Sequence, residues 1–336
     1  MSDEAPNILV AGASGYAGAL AAQLVWAHPG LELARVTARG EVGAALNQLY
    51  PQYAVPLALE QLDLESLEDI GAAIVAYPHG ASAPLVATLR MAGIPVVDLS
   101  ADFRLHDLQT YERWYGEHPE SHLLDDAVYG LPELYRQEIA GAGLVANPGC
   151  YPTASLLALA PLAAAGLVDD VVVDAKSGVS GAGRGAAEEM EAVKAGDDAM
   201  AYGVAGHRHS PEIAQELTEL GMDGALLTFV PHLLPFDQGE LVSCYVTPSR
   251  SVEQAELDEI YAARYEDEPF VEIAETPPRV GEVRDTNLCR VHVRVEEGSG
   301  RLMAFGAIDN LWKGAASQAV QNLNLMLGLP EGEGLS

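Results

Sequence analysis

The first half of the chain alternates short apolar runs with segments of helical spacing. Asn7–Ala11 is an apolar run that ends in glycines, which is typical of a buried strand. The other elements predicted in this half are strands over residues 31–37, 72–76 and 95–99, and helices over residues 19–26 and 83–91. Alternation of strand and helix predicts a parallel sheet with crossover helices.

The pattern changes after Cys150, where strands follow one another with fewer helices between them. Strand-like segments cover residues 171–174, 225–230, 241–247, 291–295 and 302–308, and helical segments cover residues 211–220 and 252–265. This order predicts a mixed α+β second domain. A last helix over residues 315–327 has its apolar positions at helical spacing.

Length and charge limit the classes of protein to consider. The 336 residues exceed the size at which one core usually stops growing, so two domains are expected. The formal net charge of −31 disfavours binding to nucleic acid or to anionic membranes. The acidic surface is explained either by solubility or by adaptation to a salty cytoplasm, where charge is screened, and the sequence does not distinguish the two.

The sequence also argues against a membrane span, a secretory signal, a disulfide framework and a zinc site. No apolar stretch reaches ~18 residues without a break, so no membrane span is expected. The acidic start of the chain has no basic flank of the kind a secretory signal carries, so we expect a cytoplasmic protein. Three scattered cysteines are too few for a disulfide framework or a zinc site. We therefore expect no metal and ask whether one thiol is reactive.

A glycine-rich loop joins the first strand to the first helix. Gly12, Gly15 and Gly18 occupy it with the spacing G-x-x-G-x-x-G. Glycine tolerates a tight turn and close backbone approach, and the N–H groups of the next helix suit a pyrophosphate. We interpret the loop as a dinucleotide site; the alternative is a purely structural strand–helix turn.

The end of the second strand indicates which dinucleotide is preferred. NAD-dependent enzymes usually place an acid there to hold the ribose hydroxyl, whereas this strand ends in Thr37-Ala38-Arg39. Arg39 could hold a 2′-phosphate, which predicts NADPH. The alternative is a solvated surface arginine.

Cys150 has the sequence context of a reactive thiol. Pro148-Gly149 makes a sharp turn before it, and Pro152 suits the first turn of a following helix. A cysteine at a helix N-terminus is favoured as the thiolate, and the N–H groups there could hold an oxyanion. A small buried hydrophobe is the alternative, and it is our interpretation of Cys244 and Cys289.

Histidine is the usual partner of a nucleophilic thiol. His207 and His209 precede Ser210, a predicted N-cap, and Pro211, a predicted first helical residue. In an extended segment both imidazoles would point to one pocket and Arg208 would point away. The alternative is a pair of surface histidines. His79 and His232 are further candidates in loops.

Several ordered motifs show a resemblance to a known family. They are the Gly12–Gly18 loop, Asp98-Leu-Ser-Ala-Asp-Phe-Arg-Leu105, Val128-Tyr-Gly-Leu-Pro-Glu-Leu134, Asn147-Pro-Gly-Cys-Tyr-Pro-Thr153, the segment from Asp174 to Arg184, His207-Arg-His-Ser-Pro-Glu-Ile213, and the segments 307–315 and 318–324. Together they run nearly end to end, and the chain resembles the N-acetyl-gamma-glutamyl-phosphate reductases, which are related to aspartate-semialdehyde dehydrogenase.

The resemblance implies a fold, a reaction and a set of site residues. The fold is a Rossmann-type parallel-sheet NADP domain (residues 1–150 and 313–336) and a mixed α+β domain for substrate and dimerisation (residues 151–312). The reaction is NADPH-dependent reduction of a small-molecule acyl phosphate through a thioester on Cys150, in a homodimer or homotetramer. The implied cofactor residues are Gly12, Ser14, Gly15, Tyr16, Gly18, Arg39, Pro78, His79, Ser180, Gly181 and Asn310. The implied substrate residues are Arg104, Lys176, Ser177, Arg184 and Arg208, and the implied catalytic residues are Cys150, His207 and His209.

One departure from the family leaves the acyl chain open. The family commonly carries Pro-Met-Thr-Arg-Gly where this chain has Pro235-Phe-Asp-Gln238-Gly239. The arginine is therefore replaced by Gln238, and Arg184, Arg208 or Lys176 would have to hold the substrate anion. A carrier-protein-linked aminoadipyl or glutamyl phosphate of lysine-type biosynthesis is an alternative, although a strongly acidic chain disfavours an acidic carrier. A catalytically silent NADPH-binding regulator is another.

Overall fold

A computed structural model of the chain describes residues 5–184, 193, 196–222 and 224–335. The chain forms two compact units. Unit 1 holds the residues up to Pro148 and those from Ala315 onward, and unit 2 spans Gly149–Gly314. In the described part of the chain, no helix is both long enough and apolar enough to cross a membrane.

Unit 1 is built on a six-stranded sheet in the order β2-β1-β3-β4-β6-β5. Its strands are β1 (Asn7–Ala11), β2 (Glu32–Thr37), β3 (Ala72–Val75), β4 (Val96–Asp98), β5 (Ala127–Tyr129) and β6 (Leu144–Ala146). All neighbouring pairs are parallel, which confirms the predicted parallel sheet. The pattern missed β5 and β6, which are each three residues long.

Helices α1 (Tyr16–Ala27), α2 (Leu46–Leu49), α3 (Ala83–Met91), α4 (Leu108–Tyr115) and α5 (Pro132–Ile139) belong to the same unit. The last helix, α9 (Ser317–Leu327), packs on α1, α5 and β4. Its inward face includes polar side chains that are fully buried, among them Gln321 and Asn322. Their amide nitrogens are bound: Asn322 Nδ2 donates to Gly130 O at 2.8 Å, and Gln321 Nε2 donates to Glu331 Oε1 at 2.8 Å.

Unit 2 is built on a seven-stranded mixed sheet in the order β11-β12-β13-β10-β7-β9-β8. Its strands are β7 (Val168–Gly178), β8 (Met200–Ala201), β9 (Leu226–Leu234), β10 (Glu240–Pro248), β11 (Val271–Ile273), β12 (Cys289–Val295) and β13 (Leu302–Ile308). The central strand β10 runs antiparallel to both β7 and β13, whereas β7 and β9 are parallel. The predicted mixed second domain is confirmed.

Helix α6 (Cys150–Ala164) is the core of unit 2. It is buried all round from Tyr151 to Ala163 and packs on β10, β13, β12 and β7, with helices α7 (His209–Glu219) and α8 (Gln254–Tyr265) beside it. Pro161 inside α6 has no N–H for the carbonyl of Leu157, four residues earlier. The Tyr265 hydroxyl donates to that carbonyl at 2.6 Å, so the proline leaves no buried acceptor unsatisfied.

Candidate active site

In unit 1 the glycine loop is as tight as the sequence predicts. Gly12 has a φ of 89°, and a Cβ there would lie 2.5 Å from the backbone O of Ala76. A Cβ on Gly18 would lie 2.3 Å from Gly12 O. Gly15, by contrast, has room for a Cβ and is the N-cap of α1, which has no side-chain cap. The N–H groups at the start of α1 therefore remain available to an anion.

The loop and the end of β2 share one edge of the sheet. The N–H groups of Gly12 and Ala13 both donate to Thr37 O, at 2.9 and 3.0 Å. Arg39 follows two residues later, is exposed, and its guanidinium carbon lies 5.0 Å from the centre of the Tyr77 ring. The predicted phosphate ligand thus lies next to the predicted pyrophosphate loop, stacked on an aromatic ring.

The other unit 1 residues predicted to bind the cofactor lie in two segments, and neighbouring tyrosine side chains contact both segments. The Tyr50 hydroxyl donates to Ser14 O at 2.7 Å, and the ring of Tyr50 packs edge-on against Tyr16. Pro78 and His79 are exposed, and the His79 ring lies 5.3 Å from Tyr115.

The motif Asp98-Leu-Ser-Ala-Asp-Phe-Arg104 supports these segments. The Asp102 carboxylate accepts hydrogen bonds from Gly80 N at 2.7 Å and from Ala83 N at 2.9 Å. Asp98 is fully buried and accepts from Ser82 and Ser100, and burial raises its pKa to about 6. These carboxylates attach the loop that contains His79 to the end of β4 and to the segment after it.

Arg104 belongs to the same support. It is 8% exposed, and it donates from Nε to Asn147 O and from Nη2 to Leu99 O, both at 2.8 Å. Asn147 in turn accepts from Asn322 Nδ2 at 3.0 Å. Arg104 therefore fixes the backbone just before the Pro-Gly-Cys turn; the substrate contact expected of it stays a prediction.

In unit 2, Cys150 is the first residue of α6, as predicted, and is half-buried. The extended Gly149 before it (φ −69°, ψ 157°) is the N-cap, and its N–H donates to the buried Glu212 Oε1 at 2.8 Å. Gly314 approaches from the other side: a Cβ on it would lie 2.8 Å from the Cβ of Cys150. The thiol is therefore fixed at a helix N-terminus where the dipole favours its thiolate.

The two histidines come together at the ring of Tyr151, the residue after the nucleophile, but not by the predicted geometry. Arg208 is not extended: it has helical angles (φ −60°, ψ −22°), and α7 begins at His209 instead of Pro211. The turn nevertheless brings the imidazoles of His207 and His209 to 4.9 Å, and each lies within 6 Å of the Tyr151 ring, at 5.9 and 5.8 Å. Arg208 is exposed, as expected.

His207 is neutral at physiological pH. Burial lowers its pKa to about 4, and the charge of Arg208 acts in the same direction. Its Nδ1 accepts a hydrogen bond from His209 N at 3.1 Å, so the proton of the neutral ring is on Nε2. The ring also packs against Tyr202 and Phe229, which forms an aromatic box around it.

A buried acid that the sequence reasoning missed lies at the start of β10. Glu240 is the first residue of that strand, is fully buried, and pairs in the sheet with Ser177 of β7. Burial raises the pKa of its carboxyl to about 8; the Cys150 thiol lowers this pKa, and the charge of Asp309 raises it. In the described part of the chain, neither carboxyl oxygen has a hydrogen-bond partner.

Three of the predicted cofactor residues form one cluster in unit 2. Asn310 Nδ2 donates to Ser180 Oγ at 2.9 Å, and a Cβ on Gly181 would lie 3.5 Å from that same amide nitrogen and 2.7 Å from Ser177 Oγ. Gly239 N donates to Asn310 Oδ1 at 2.6 Å. The cluster is thereby joined to the start of β10, one residue before Glu240.

Gln238, at the family's arginine position, is part of this framework. Its amide nitrogen donates to the carboxylates of Asp309 and, at 3.0 Å, Asp285. Asp309 Oδ1 accepts from the N–H groups of the turn that leads to Gly314, and Gly314 N donates to Asp309 O at 2.9 Å. Gln238 therefore binds Asp309, and Asp309 in turn binds Gly314, the glycine that lies against Cys150.

Lys176 is not brought to the nucleophile within unit 2. In the β7–β10 register it is opposite Leu241, so its side chain is on the other sheet face from Glu240 and α6. There it binds Asp174 Oδ2 at 2.8 Å and donates to Ser243 Oγ at 3.3 Å. This placement gives no support to a substrate contact by Lys176. Arg184 is exposed.

Sequence reasoning missed four residues near the thiol: Tyr151, Tyr202, Glu212 and Glu240. Glu240 carried one usable signal, because it is an acid directly before the apolar run predicted as a strand over residues 241–247. Such an acid ends up buried only with a partner or a function. Glu212 lay inside a recognised motif, but nothing local pointed to its contact with Gly149, 63 positions away.

Comparison with known proteins assigns both halves of the chain to the same class. A family model described as "Semialdehyde dehydrogenase, NAD binding domain" matches residues 7–142, and one described as "Semialdehyde dehydrogenase, dimerisation domain" matches residues 150–310. The parallel sheet with its glycine loop and the helix-borne cysteine agree with that class. The protein is thus an oxidoreductase of the semialdehyde dehydrogenase class with a nicotinamide-dinucleotide domain.

Curated relatives narrow the class. An N-acetyl-gamma-glutamyl-phosphate reductase of Dehalococcoides mccartyi is 47% identical over 96% of this chain and 95% of its own length. One of Citrifermentans bemidjiense is 43% identical over 98% of this chain and 97% of its own length. The chain belongs to the N-acetyl-gamma-glutamyl-phosphate reductase family.

Solved structures support the fold alone, since their sequences are distant. Aspartate semialdehyde dehydrogenase II from Vibrio cholerae, in complex with ASA, matches with a TM-score of 0.73 at 18% identity, over 97% of this chain and 99% of that one. Aspartate semialdehyde dehydrogenase with NADP from Candida albicans matches with a TM-score of 0.69 at 12% identity, over 97% and 99% of the two chains.

Proposed function

We propose that the protein reduces N-acetyl-gamma-glutamyl phosphate to N-acetyl-glutamate semialdehyde and phosphate with NADPH, as a step of arginine biosynthesis. The observation that carries the proposal is Cys150 at the start of α6, with Gly314 against its Cβ and with the ring of the next residue, Tyr151, 5.9 Å from that of His207. The relatives named for this reaction, which match nearly the whole chain, support the choice of acyl group.

The mechanism proceeds through a thioester. The Cys150 thiolate attacks the acyl carbon, the C–O bond to phosphate breaks, and phosphate leaves with the bonding electrons. The glycine loop and Arg39 would hold NADPH, which would supply the hydride that reduces the thioester carbon. The thioester on Cys150 thereby becomes a thiohemiacetal oxyanion. Collapse of this oxyanion breaks the C–S bond, releases the aldehyde and returns the electron pair to sulfur. The thioester is reducible where a carboxylate is not, and covalent capture holds the acyl group in place.

His207 is suited to stabilise the oxyanion as a neutral donor. Its Nε2 carries the ring proton, and burial keeps the ring uncharged. A donor held by an aromatic box needs no reorganisation when negative charge develops. His209 is assigned to substrate orientation.

In unit 1 we assign cofactor binding to Gly12, Ser14, Gly15, Tyr16, Gly18, Arg39, Pro78 and His79, and in unit 2 to Ser180, Gly181 and Asn310. Ser177, Arg184 and Arg208 remain the proposed substrate contacts, along with Arg104 as a residue that also holds backbone. We further propose a cytoplasmic homo-oligomer assembled through unit 2, which the dimerisation-domain match supports.

A reverse-direction assay tests the substrate. NADPH formation is followed with phosphate and three semialdehydes, of the N-acetyl-glutamate, aspartate and aminoadipate types. The N-acetyl-glutamate compound should give the highest kcat/KM. A higher value for the aminoadipate type would assign the chain to a lysine-type pathway. Cofactor binding with no turnover of any substrate would mean a silent regulator.

Arg39→Ala should change the cofactor preference. Loss of a charge-assisted contact to the 2′-phosphate is expected to weaken NADPH binding by roughly 10–150-fold, while NADH binding stays nearly constant. Fluorescence titration with both cofactors measures this. The matched control is Arg35→Ala on β2, the strand just before Arg39, because Arg35 is already paired with Asp69 at 2.6 Å. Equal losses of NADPH and NADH affinity in Arg39→Ala would show that Arg39 does not recognise the phosphate.

Gly314→Ala should displace the nucleophile. The new Cβ would lie 2.8 Å from the Cβ and 3.3 Å from the Cα of Cys150, so one of the two backbones must move. A displacement of about 1 Å costs on the order of 10²-fold in rate, and we expect a loss of that size in kcat. Gly281→Ala is the control, since nothing lies within 4 Å of its added Cβ. Wild-type kcat in Gly314→Ala would contradict the close approach.

A further inference from the structure

Tyr77 is an aromatic residue beside the glycine loop of unit 1, and the proposed set of cofactor residues does not include it. The backbone just before it is fixed, because Ala76 N donates to Ala11 O at 2.8 Å. Its ring packs on the core of unit 1. The ring also lies against the glycine loop, since a Cβ on Gly12 would lie 2.9 Å from Cδ1 of Tyr77. Tyr77 therefore has a fixed place at the end of β3.

The order of the strands brings this ring to Arg39. Strand β1 lies between β2 and β3, and its last residue, Ala11, is opposite both Thr37 and Val75. Arg39 and Tyr77 each follow two residues after these paired positions. The guanidinium carbon of Arg39 lies over the Tyr77 ring, 5.0 Å from its centre. This distance is within the range of a cation–π interaction.

The Tyr77 ring is the one group that holds the Arg39 guanidinium within the described part of the chain. Arg39 is exposed, and its side chain makes no hydrogen bond or ion pair with the other described residues. A guanidinium has five N–H donors, and attraction to a ring leaves donors for an anion. An exposed arginine without such a contact would have to lose side-chain entropy when it binds a phosphate.

A guanidinium at this place would distinguish the two nicotinamide dinucleotides. The end of β2 is where a dinucleotide fold holds the ribose hydroxyls, and here it carries Arg39 instead of an acid. NADPH has a 2′-phosphate there and NADH does not. A cation that is already ordered therefore helps NADPH alone. In a chain with a formal net charge of −31, a local cation also offsets repulsion of the more highly charged ligand.

We propose that Tyr77 is a positioning residue that holds Arg39 at the 2′-phosphate site and thereby sets the preference for NADPH over NADH. The ring comes from the end of β3 and the cation from the end of β2, so the preference depends on two strand ends. This inference rests on the proposed role of Arg39 in cofactor binding, and it does not depend on the identity of the acyl chain.

The test is fluorescence titration of Tyr77→Leu and Tyr77→Phe with NADPH and with NADH. The measured quantity is the ratio of the two dissociation constants. Tyr77→Leu removes the aromatic face and should lower the preference for NADPH by roughly 2–30-fold, the range of cation–π strengths. Tyr77→Phe keeps the face and should keep most of the preference. Equal weakening of both cofactors in Tyr77→Leu would overturn the proposal, because the ring would then only support the glycine loop.

A double-mutant cycle tests whether Tyr77 acts through Arg39. Once Arg39 is alanine, Tyr77→Leu should not change the cofactor preference any further. A second, additive loss of preference in the double variant would overturn the proposal. The cycle also separates two failures. If Arg39→Ala leaves the preference unchanged, the cofactor assignment of Arg39 falls together with the role of Tyr77. If Arg39→Ala changes the preference and Tyr77→Leu does not, only the role of Tyr77 falls.

Tyr50→Leu is the matched control. Tyr50 also borders the glycine loop, because its hydroxyl donates to Ser14 O at 2.7 Å and its ring packs against Tyr16. Within the described residues its ring makes no contact with Arg39. Tyr50→Leu should therefore weaken both cofactors by the same factor and leave the preference unchanged. A loss of preference as large as that in Tyr77→Leu would show that any damage to the loop produces the effect, and would overturn the proposal.

A fluorinated ring covers the case in which Tyr77→Leu does not fold. Pentafluorophenylalanine at position 77 has nearly the shape of phenylalanine, but fluorine withdraws the negative charge from the ring face that attracts a cation. Compared with Tyr77→Phe, this variant should bind NADPH more weakly and NADH equally well. An unchanged ratio of dissociation constants between the two variants would show that the ring does not hold Arg39 by its charge, and would overturn the proposal.

Discussion

Replacing Cys150 with serine is expected to abolish turnover while NADPH still binds. A serine hydroxyl at the start of α6 cannot supply the thiolate, and loss of a covalent nucleophile costs on the order of 10⁶-fold in rate. The glycine loop and Arg39 belong to unit 1 and are untouched by the change. Steady-state assay measures the rate, and fluorescence titration measures NADPH affinity.

The other two cysteines provide the matched controls. Cys244 and Cys289 are fully buried, and burial raises the pKa of the Cys244 thiol, so it stays protonated. Cys244→Ser and Cys289→Ser should therefore remain active. Near-normal activity in Cys150→Ser would refute the thioester mechanism, and loss of activity in Cys289→Ser alone would place the nucleophile elsewhere.

Replacing His207 with asparagine is expected to lower kcat by roughly 10²–10⁴-fold. The functional nitrogen is Nε2, because Nδ1 is bound to His209 N at 3.1 Å. Asparagine places its amide near the position of Nδ1 and leaves that of Nε2 empty. We would measure kcat and KM across pH. The plateau of kcat should be lower than in the wild type and should show no new step near neutral pH, because His207, with a pKa of about 4, does not titrate there.

Two further variants test whether the His207 ring acts by donating a hydrogen bond or only by packing. Glutamine reaches the position of Nε2 with an amide, so His207→Gln should lose less rate than His207→Asn. His209→Asn should mainly raise KM, as removal of a ground-state contact does. A larger kcat loss in His209→Asn than in His207→Asn would exchange the two roles.

Local sequence patterns predicted several helices and strands in both units. The strand over Asn7–Ala11, the helix Ala83–Met91 and the strand Leu302–Ile308 lie at the predicted residues. Each is long enough for its apolar period to be read, or is bounded by glycine or proline. The start of α7 was predicted wrongly, because a capping residue and a proline favoured a start at Pro211, whereas the backbone is already helical at Arg208.

From the sequence alone we could predict the parallel-sheet unit with its glycine loop, the mixed second unit, and a cysteine at a helix N-terminus. Periodicity, turn residues and helix starts depend on neighbours along the chain, so these features could be predicted. What surrounds the thiol depends on the tertiary structure. Gly314 reaches Cys150 from far along the chain through the turn after β13. The register of β10 with β7 places Glu240 on the sheet face that α6 covers and Lys176 on the opposite face. Strand order and register join residues that have no relation in sequence, and a single position of shift would exchange the two faces.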